Sequence, residues 1–399
     1  MINIFLKKIQ IPKQYGIDLF NEFIESEKSS GYLLVILTII SMLIANSPWG
    51  NEYIKFFHSN LDLSFSAIQL NYNFEHWVND GLMTVFFLLV GLEIEREIYV
   101  GELSSIKKAS LPAIAALGGM LIPALIHFTI NGGTPTQRGF GIPMATDIAF
   151  TLGILSLLGN RVPVSIKIFL TALAIIDDLG AIIVIAVFYT NQLSAIYLLS
   201  ALSILAFLLF LNKKNINSLP VYLIMGIIMW YAMLQSGVHP TITGVLLAFA
   251  IPFRKSGEEN KSYSLQKWLH KPVAFIILPL FAIVNTAIKI PGDIISSLTS
   301  ANSTGIIAGL VTGKLIGIFT FTYLAVKLKI SILPKDLNWR FIVGASCLAG
   351  IGFTMSFFIT NLAFSDPDIL TASKLSIIFA SLVSALIGAT VLRLSKNQE

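Results

Sequence analysis

Long apolar runs separated by short polar segments dominate this 399-residue chain. Most runs approach or exceed the roughly 20 residues that a helix needs to cross the hydrocarbon core of a bilayer. The runs do not alternate apolar and polar positions, so they do not predict the strands of a membrane barrel. They predict twelve transmembrane helices, called spans 1 to 12, at 30–47, 75–95, 109–130, 141–159, 164–189, 193–212, 218–235, 238–252, 272–290, 304–326, 340–361 and 370–392.

Composition agrees with this pattern, since 55% of the residues are hydrophobic and only 12% are charged, against about 25% charged in soluble domains. We therefore predict an all-α polytopic membrane protein with one transmembrane domain at 30–392, an N-terminal segment at 1–29 and a tail at 393–399. The first apolar run is interpreted as a retained span, because no signal-peptide cleavage site follows it. Cys347 is the single cysteine, which excludes an intrachain disulfide.

The basic residues predict the orientation of the chain. The net charge is +5, and membrane topology explains it better than nucleic-acid binding does. Of the 27 Lys and Arg residues, 22 lie in the N-terminal segment, the tail or next to the loops that follow even-numbered spans. Cytoplasmic segments carry this excess, so both termini are predicted to be cytoplasmic. In the loop after span 1, the alternating apolar positions at 61–72 are compatible with either a short outer β-hairpin or an irregular loop.

Ionisable residues inside spans cost about 2.5–3.5 kcal/mol each at the bilayer centre, so they usually face a partner, a cavity or water. Asp177 and Asp178 are adjacent in span 5, where a helix separates them by about 100°. Two neighbouring carboxylates resist joint ionisation, and a proton or a hard cation such as Na⁺ relieves that cost. The pattern therefore favours competition between protons and cations. A salt bridge to Lys314 of span 10 is the alternative, and it explains one carboxylate only.

Two spans contain helix-breaking residues. In span 4, Pro143 precedes Thr146 and Asp147, and the threonine adds a neutral oxygen ligand for an ion. In span 11, Gly344, Gly350 and Gly352 weaken the helix. A kink with a capping aspartate and a close-packing glycine face are the simpler interpretations. Interrupted helices in corresponding positions of two repeats indicate a transporter site, and spans 3–5 would then correspond to spans 10–12.

Four further charged or titratable residues complete the candidates. Lys314 either neutralises the C-terminal ends of half-helices or pairs with an aspartate of span 5. Glu93 and Glu97 lie one turn apart at the end of span 2, where they form either a solvated terminus or an acidic funnel that attracts cations. His239 lies at the start of span 8 and is by itself more typical of a surface or capping residue than of a sensor.

Several of these segments form long motifs, namely FFLLVGLEIEREI, PMATDIAFTLGIL, LTALAIIDDLGAI, SGVHPTITGV, LPLFAIVN, GKLIGI and GIGFTMSFFI. In these motifs the chain resembles the NhaA-type bacterial sodium/proton antiporters, from about residue 30 to 392. The resemblance implies inverted-topology repeats in a core (109–189 and 304–392), with broken spans 4 and 11 crossing near the midplane. It also implies a panel (30–100 and 218–290) that forms a homodimer with help from a hairpin at 61–72.

The resemblance implies electrogenic, pH-regulated export of Na⁺ or Li⁺ in exchange for protons across a bacterial inner membrane, without a cofactor. Asp177 and Asp178 would bind the ion and the proton, with Thr146 as a further transient Na⁺ ligand. Asp147 and Lys314 would support the helix crossing. The pH response would involve Glu93, Glu97 and His239.

The chain departs from the family pattern at two places. Glu95 stands where a basic residue is frequent, which makes the funnel more acidic. Gln266 and Lys267 stand where an acidic residue is frequent at the entrance to span 9, so the pH profile is open. Two other functions compete with exchange. An intramembrane aspartyl protease needs its aspartates on different helices, and a passive cation channel needs no proton movement in return.

Overall fold

The computed structural model describes residues 13–65, 69–190, 193–253 and 260–395, and for 13–28 and 160 it describes the backbone only. Parts of the predicted N-terminal segment, hairpin and tail therefore lie outside the described residues. Helices account for most of the rest. The α-helices are α1 Lys13–Ala45, α2 Gly50–Phe57, α3 Phe74–His76, α4 Met83–Tyr99, α5 Ile106–Ile130, α6 Ile148–Leu157, α7 Val164–Phe188, α8 Ala195–Lys213, α9 Leu219–Ser236, α10 Ile242–Ala250, α11 Lys261–Pro272, α12 Leu278–Asn285, α13 Ile294–Thr299, α14 Ala301–Ala308, α15 Lys314–Lys327, α16 Trp339–Leu348, α17 Phe353–Ala363 and α18 Pro367–Leu394.

Short segments of other helical geometry join some of these helices. Three are π-helical and continue the helix on either side: Trp77–Leu82, Val273–Ile277 and Gly309–Gly313. Three are 3₁₀-helical: Glu102–Ser104, Pro135–Met144 and Gly159–Arg161. The π segments make single helices of Phe74–Tyr99, Lys261–Asn285 and Ala301–Lys327.

In the described part of the chain, eight helices are long and apolar enough to cross a membrane, or up to 11 if each of three bent pairs is one span. The predicted number of twelve therefore stays a prediction. The difference lies at span 8, where the helix is α10 with nine residues. Nine residues rise only about 14 Å, which is too short for a bilayer by length alone.

The predicted breaks in spans 4 and 11 are present. In span 4, Pro135–Met144 and Ile148–Leu157 are bent by 43° around an extended segment. In span 11, α16 and α17 are bent by 46° around Ala349–Gly352. The third bent pair is different, because α2 turns by 117° from α1. The inverted relation between spans 3–5 and 10–12 stays a prediction.

A two-stranded antiparallel sheet forms near the predicted hairpin. Strand β1 (Asn60–Asp62) pairs with β2 (Asn71–Asn73), and Leu61 lies opposite Tyr72. Its neighbouring apolar side chains, including Leu63 and Phe65, are exposed. Residues 66–68 between the strands lie outside the described part.

Close helix contacts position the interior. Helices α5 and α15 pack along their length, and at Gly118 and Gly317 a Cβ on either residue would lie 2.1–2.3 Å from the opposing carbonyl oxygen. Glycine therefore permits a backbone approach that any side chain would block. Lys314 lies one turn before Gly317, so this contact fixes the lysine against α5. In the panel, Gly244 allows the same approach of α10 to Thr84 at the start of α4.

Candidate functional site

The two helix breaks lie against each other. The backbone amide of Asp147 donates to the carbonyl of Ile351 at 2.7 Å. The Thr146 hydroxyl lies 2.9 Å from the carbonyl oxygen of Ala349. Backbone groups that the broken helices leave without intrahelical partners are thus satisfied across the crossing, as a buried break requires.

Asp147 caps both half-helices that begin at the crossing. One carboxylate oxygen accepts from the Phe150 amide at 3.0 Å and serves as the N-cap of α6. The other accepts from the amide and hydroxyl of Thr354, at 3.0 and 2.5 Å, in the first turn of α17. A carboxylate at two helix N-termini compensates both positive dipole ends. The contacts of Asp147 are therefore those of the capping aspartate in the simpler interpretation of span 4.

Asp177 forms a buried cluster with Lys314 and Thr146. The lysine ammonium donates to Asp177 Oδ2 at 2.6 Å and to the threonine hydroxyl at 2.9 Å. The same hydroxyl lies 2.8 Å from Asp177 Oδ2. All three side chains have zero exposure. Of the two roles considered for Lys314, the structure shows the ion pair with Asp177.

Asp178 has a different environment. Its side chain is 2% exposed, and its Oδ1 atom, like that of Asp177, is buried without a hydrogen-bond partner among the described residues. It lines a cavity of about 50 Å³ that Asp177, Thr146 and Lys314 do not line. A buried water needs roughly 10–15 Å³ of such space, so the cavity has room for more than one. An unpaired buried carboxylate beside it is costly and is stabilised by a proton or a cation.

The cavity lies between the segments predicted to form the core and the panel. Its other polar wall residues are Asp147 and Thr354 from the core, and Glu93 and His270 from the panel. The Glu93 carboxyl is 6% exposed, and the Gln266 side chain of α11 faces it. Carboxylates from three spans therefore line one small cavity, and such oxygen-rich sites suit hard cations.

Glu97 and His239 do not lie at this cavity. Glu97 accepts from the backbone amide of Glu102 and pairs with Arg96, both at 2.9 Å, so it closes the turn after α4. His239 lies 3.5 Å from Asp80 through Nε2 and 2.7 Å from the Thr241 hydroxyl through Nδ1. The structure thus joins Glu93 to the carboxylate site and keeps the other two candidates apart from it.

Some residues at or near the site were not predicted from the sequence. Thr354 follows the glycines of span 11 as Thr146 follows Pro143, so the symmetry of the two breaks was an available signal. Ser262 is another such residue, and its hydroxyl donates to buried Glu95 at 2.6 Å. Nothing local to Ser262 indicates this contact, which depends on how α11 packs against α4.

The fold and this site define a polytopic membrane transporter whose buried carboxylates line a water-sized cavity beside two crossed, broken helices. Comparisons with known proteins give the family. The Na⁺/H⁺ antiporter 1 family matches residues 21–392, and the chain belongs to it.

Curated relatives are similar over nearly their whole length. An Na⁺/H⁺ antiporter NhaA of Cytophaga hutchinsonii is 56% identical over 380 residues, which cover 95% of this chain and 96% of that protein. One of Flavobacterium psychrophilum is 57% identical, covering 93% and 94%. The antiporter NhaA 2 of Aliarcobacter butzleri is 47% identical, covering 95% and 98%.

Proposed function

We propose that this protein is a secondary transporter that exports Na⁺, or Li⁺, in exchange for protons across the bacterial inner membrane. The single observation that carries the proposal is Asp178, a buried carboxylate with an unpartnered oxygen on a water-sized cavity. The family membership and the names of the relatives support the same exchange. The family and the names of the relatives describe antiporters, which are secondary transporters and not enzymes.

Competition at Asp178 couples the two ions. The carboxylate is stable when it is protonated or when it binds a cation, and a bare charge there is costly. Cytoplasmic Na⁺ passing Glu93 therefore displaces the proton, and an outward-facing site exchanges Na⁺ for a new proton. Movement of the core relative to the panel, as in related transporter folds, would alternate access to the cavity.

Asp177 and Thr146 complete the ligand set in a later step. In the structure, both side chains bind the Lys314 ammonium. A cation can take the place of this ammonium. When Na⁺ enters, movement of the lysine away from Asp177 releases two further oxygens toward Asp178. If both carboxylates take part in one cycle, they can carry more protons than Na⁺ ions. This stoichiometry supports electrogenic exchange.

Regulation and assembly belong to the same proposal. Glu93, with neutral Gln266 beside it, and the separate groups Glu97 and His239 contribute to the pH response. The exposed apolar side chains of the β1–β2 hairpin support a homodimer. The distribution of Lys and Arg supports a cytoplasmic position for both termini.

Everted membrane vesicles test the exchange. Respiration acidifies their interior and quenches a ΔpH probe, and addition of Na⁺ or Li⁺ is expected to restore the fluorescence. K⁺ serves as the control cation and is expected not to restore the fluorescence. A passive channel would instead carry Na⁺ without moving protons. Clamping the membrane potential with K⁺ and valinomycin tests the charge balance, because an electroneutral exchanger would give potential-independent rates.

A further inference from the structure

A buried amide joins panel and core at some distance from the cation cavity. The Asn285 side chain, at the end of α12, has zero exposure. Its amide nitrogen donates to Asn79 Oδ1 at 2.8 Å and to the Phe281 carbonyl at 3.0 Å. Its oxygen accepts from Asn361 Nδ2 at 2.6 Å and from Lys374 Nζ at 3.2 Å. Asn79 and Asn285 belong to the panel, and Asn361 and Lys374 to the core.

This cluster lies beyond the cavity along every helix that the two share. In span 2, Asn79 precedes Glu93 by 14 residues, which corresponds to about 21 Å of helix rise. In span 11, Asn361 follows Thr354 by seven residues, or about 10 Å. Because Arg96 ends span 2 on the predicted cytoplasmic side, the cluster lies on the outer side of Asp178.

Aromatic rings fill the space between the cavity and the cluster. Phe358 of the core packs against Phe87 of α4, with ring centroids 5.2 Å apart. It also packs edge-on against His239 of the panel at 5.3 Å. Phe87 and Phe358 are each 1% exposed. The outer side of the site is therefore closed first by apolar rings and then by hydrogen bonds.

The hydrogen bonds at Asn285 are demanding to break. Both amide atoms are fully used, and a buried polar group that loses its partner costs about 1–3 kcal/mol. Lys374 is only 7% exposed, and Glu75 of the panel is the opposite charge near it. Separation of panel and core must expose this ammonium to water. Hydration of the ammonium compensates for the lost contacts, but only once the outer side is open.

We propose that Asn285, with Asn361 and Lys374, is an outer latch that holds the core to the panel and must open before Asp178 can reach the outside. This inference rests on the proposed exchange by alternating access. It assigns Asn285 and Lys374 to the conformational step and not to ion binding, because their cluster lies about 10 Å of helix rise beyond Thr354 of the cavity.

Reversible cross-linking tests the latch in the full-length protein. In a Cys347→Ser background, the pair Asn285→Cys and Asn361→Cys replaces two bonded residues of panel and core. Hg²⁺ joins the two thiols, and excess dithiothreitol removes it. Na⁺-driven proton movement in everted vesicles is expected to fall at least tenfold with Hg²⁺ and to return with dithiothreitol.

The matched control is the pair Asn302→Cys and Ser373→Cys in the same background. These residues are also buried and bonded, at 2.7 Å, but both lie on helices of core spans, Ala301–Lys327 and Pro367–Leu394. Cross-linking them is expected to leave at least half of the exchange. Blocked thiol labelling shows that the latch pair is cross-linked. Exchange that persists in this cross-linked state overturns the latch. Equal loss in the control pair overturns it as well.

A second pair, Asn285→Cys and Lys374→Cys, covers the case in which the first pair has no exchange before Hg²⁺ is added. If both latch pairs are inactive without Hg²⁺ while the control pair is active, the cluster is required for folding or ion binding, and the latch is overturned. Absence of exchange from the unsubstituted protein contradicts the proposed function and does not bear on the latch.

Discussion

At the scale of single residues, two adjacent aspartates have opposite surroundings because a helix turns by about 100° between them. Asp177 is neutralised by a lysine, whereas Asp178 faces water-sized space. The sequence predicted the pair, and it also predicted that a salt bridge to Lys314 would explain only one of the two carboxylates. It left the partner of Lys314 open, because the lysine has no acidic neighbour along the chain and reaches Asp177 only through the packing of α15 on α5.

The first prediction concerns Asp178. Replacement of Asp178 by Asn removes the charge that a cation needs while keeping the size of the side chain. We expect Na⁺-driven proton movement in everted vesicles to fall at least 100-fold, equivalent to roughly 3 kcal/mol. Asp293→Asn, a change at an exposed helix cap, is the control and should retain exchange. Normal exchange by the Asp178 variant would reject the site.

The second prediction concerns the buried ion pair. Lys314→Met leaves Asp177 with a buried charge and only the Thr146 hydroxyl as partner. Loss of one member of a buried pair typically costs about 3–5 kcal/mol, so the thermal unfolding midpoint of the purified protein should drop clearly. The double variant Lys314→Met/Asp177→Asn should recover most of that loss. Equal midpoints for the single and double variants would show that the pair is not coupled in this way.

At the scale of helices, interruptions place the chemistry. Breaks in spans 4 and 11 were predictable because Pro143 and the glycines of span 11 disfavour helix in any context. The three π-helical segments were not predictable, since no local residue type requires them. One of them contains Asn79 and another ends just before Lys314, and π segments frequently occur at functional positions.

The third prediction tests how tightly span 11 is built. A Cβ added at Gly350 would lie 2.3 Å from the Leu310 carbonyl oxygen and 2.6 Å from the Ser384 hydroxyl. Overpacking of this kind costs about 1–3 kcal/mol. Gly350→Ala should therefore lower both the thermal unfolding midpoint and the exchange rate. At Gly292 nothing lies within 4 Å, so Gly292→Ala should change neither, and similar losses in both variants would contradict this explanation.

At the scale of the whole molecule, periodicity and charge predict more than local chemistry does. The apolar runs gave the helical class and nearly all helix positions. They overestimated the length of α10. Apolar residues that flank this short helix extend the apolar run beyond the helix itself. The contacts of Asn285, Gln266 and Ser262 were beyond sequence reasoning, since each depends on which helices become neighbours.

The fourth prediction concerns orientation. In a Cys347→Ser background, Leu63→Cys places a thiol next to β1, and Ser104→Cys places one in the loop after α4. Both positions are exposed. An impermeant thiol reagent added to intact cells should label the Leu63 variant and leave the Ser104 variant unlabelled. The reverse result would mean that the distribution of Lys and Arg does not set the topology.

In the proposed exchange, the ammonium of Lys314 also acts as a tethered competitor of the transported ion. It is attached to the same chain as Asp177, so it presents itself at a fixed effective concentration, which for short tethers reaches the millimolar range or more. A soluble cation must outcompete it for the carboxylate. The working range of Na⁺ concentration therefore depends on the length and packing of one lysine arm, held in place by the glycines of α5 and α15, as well as on the oxygens that bind the ion.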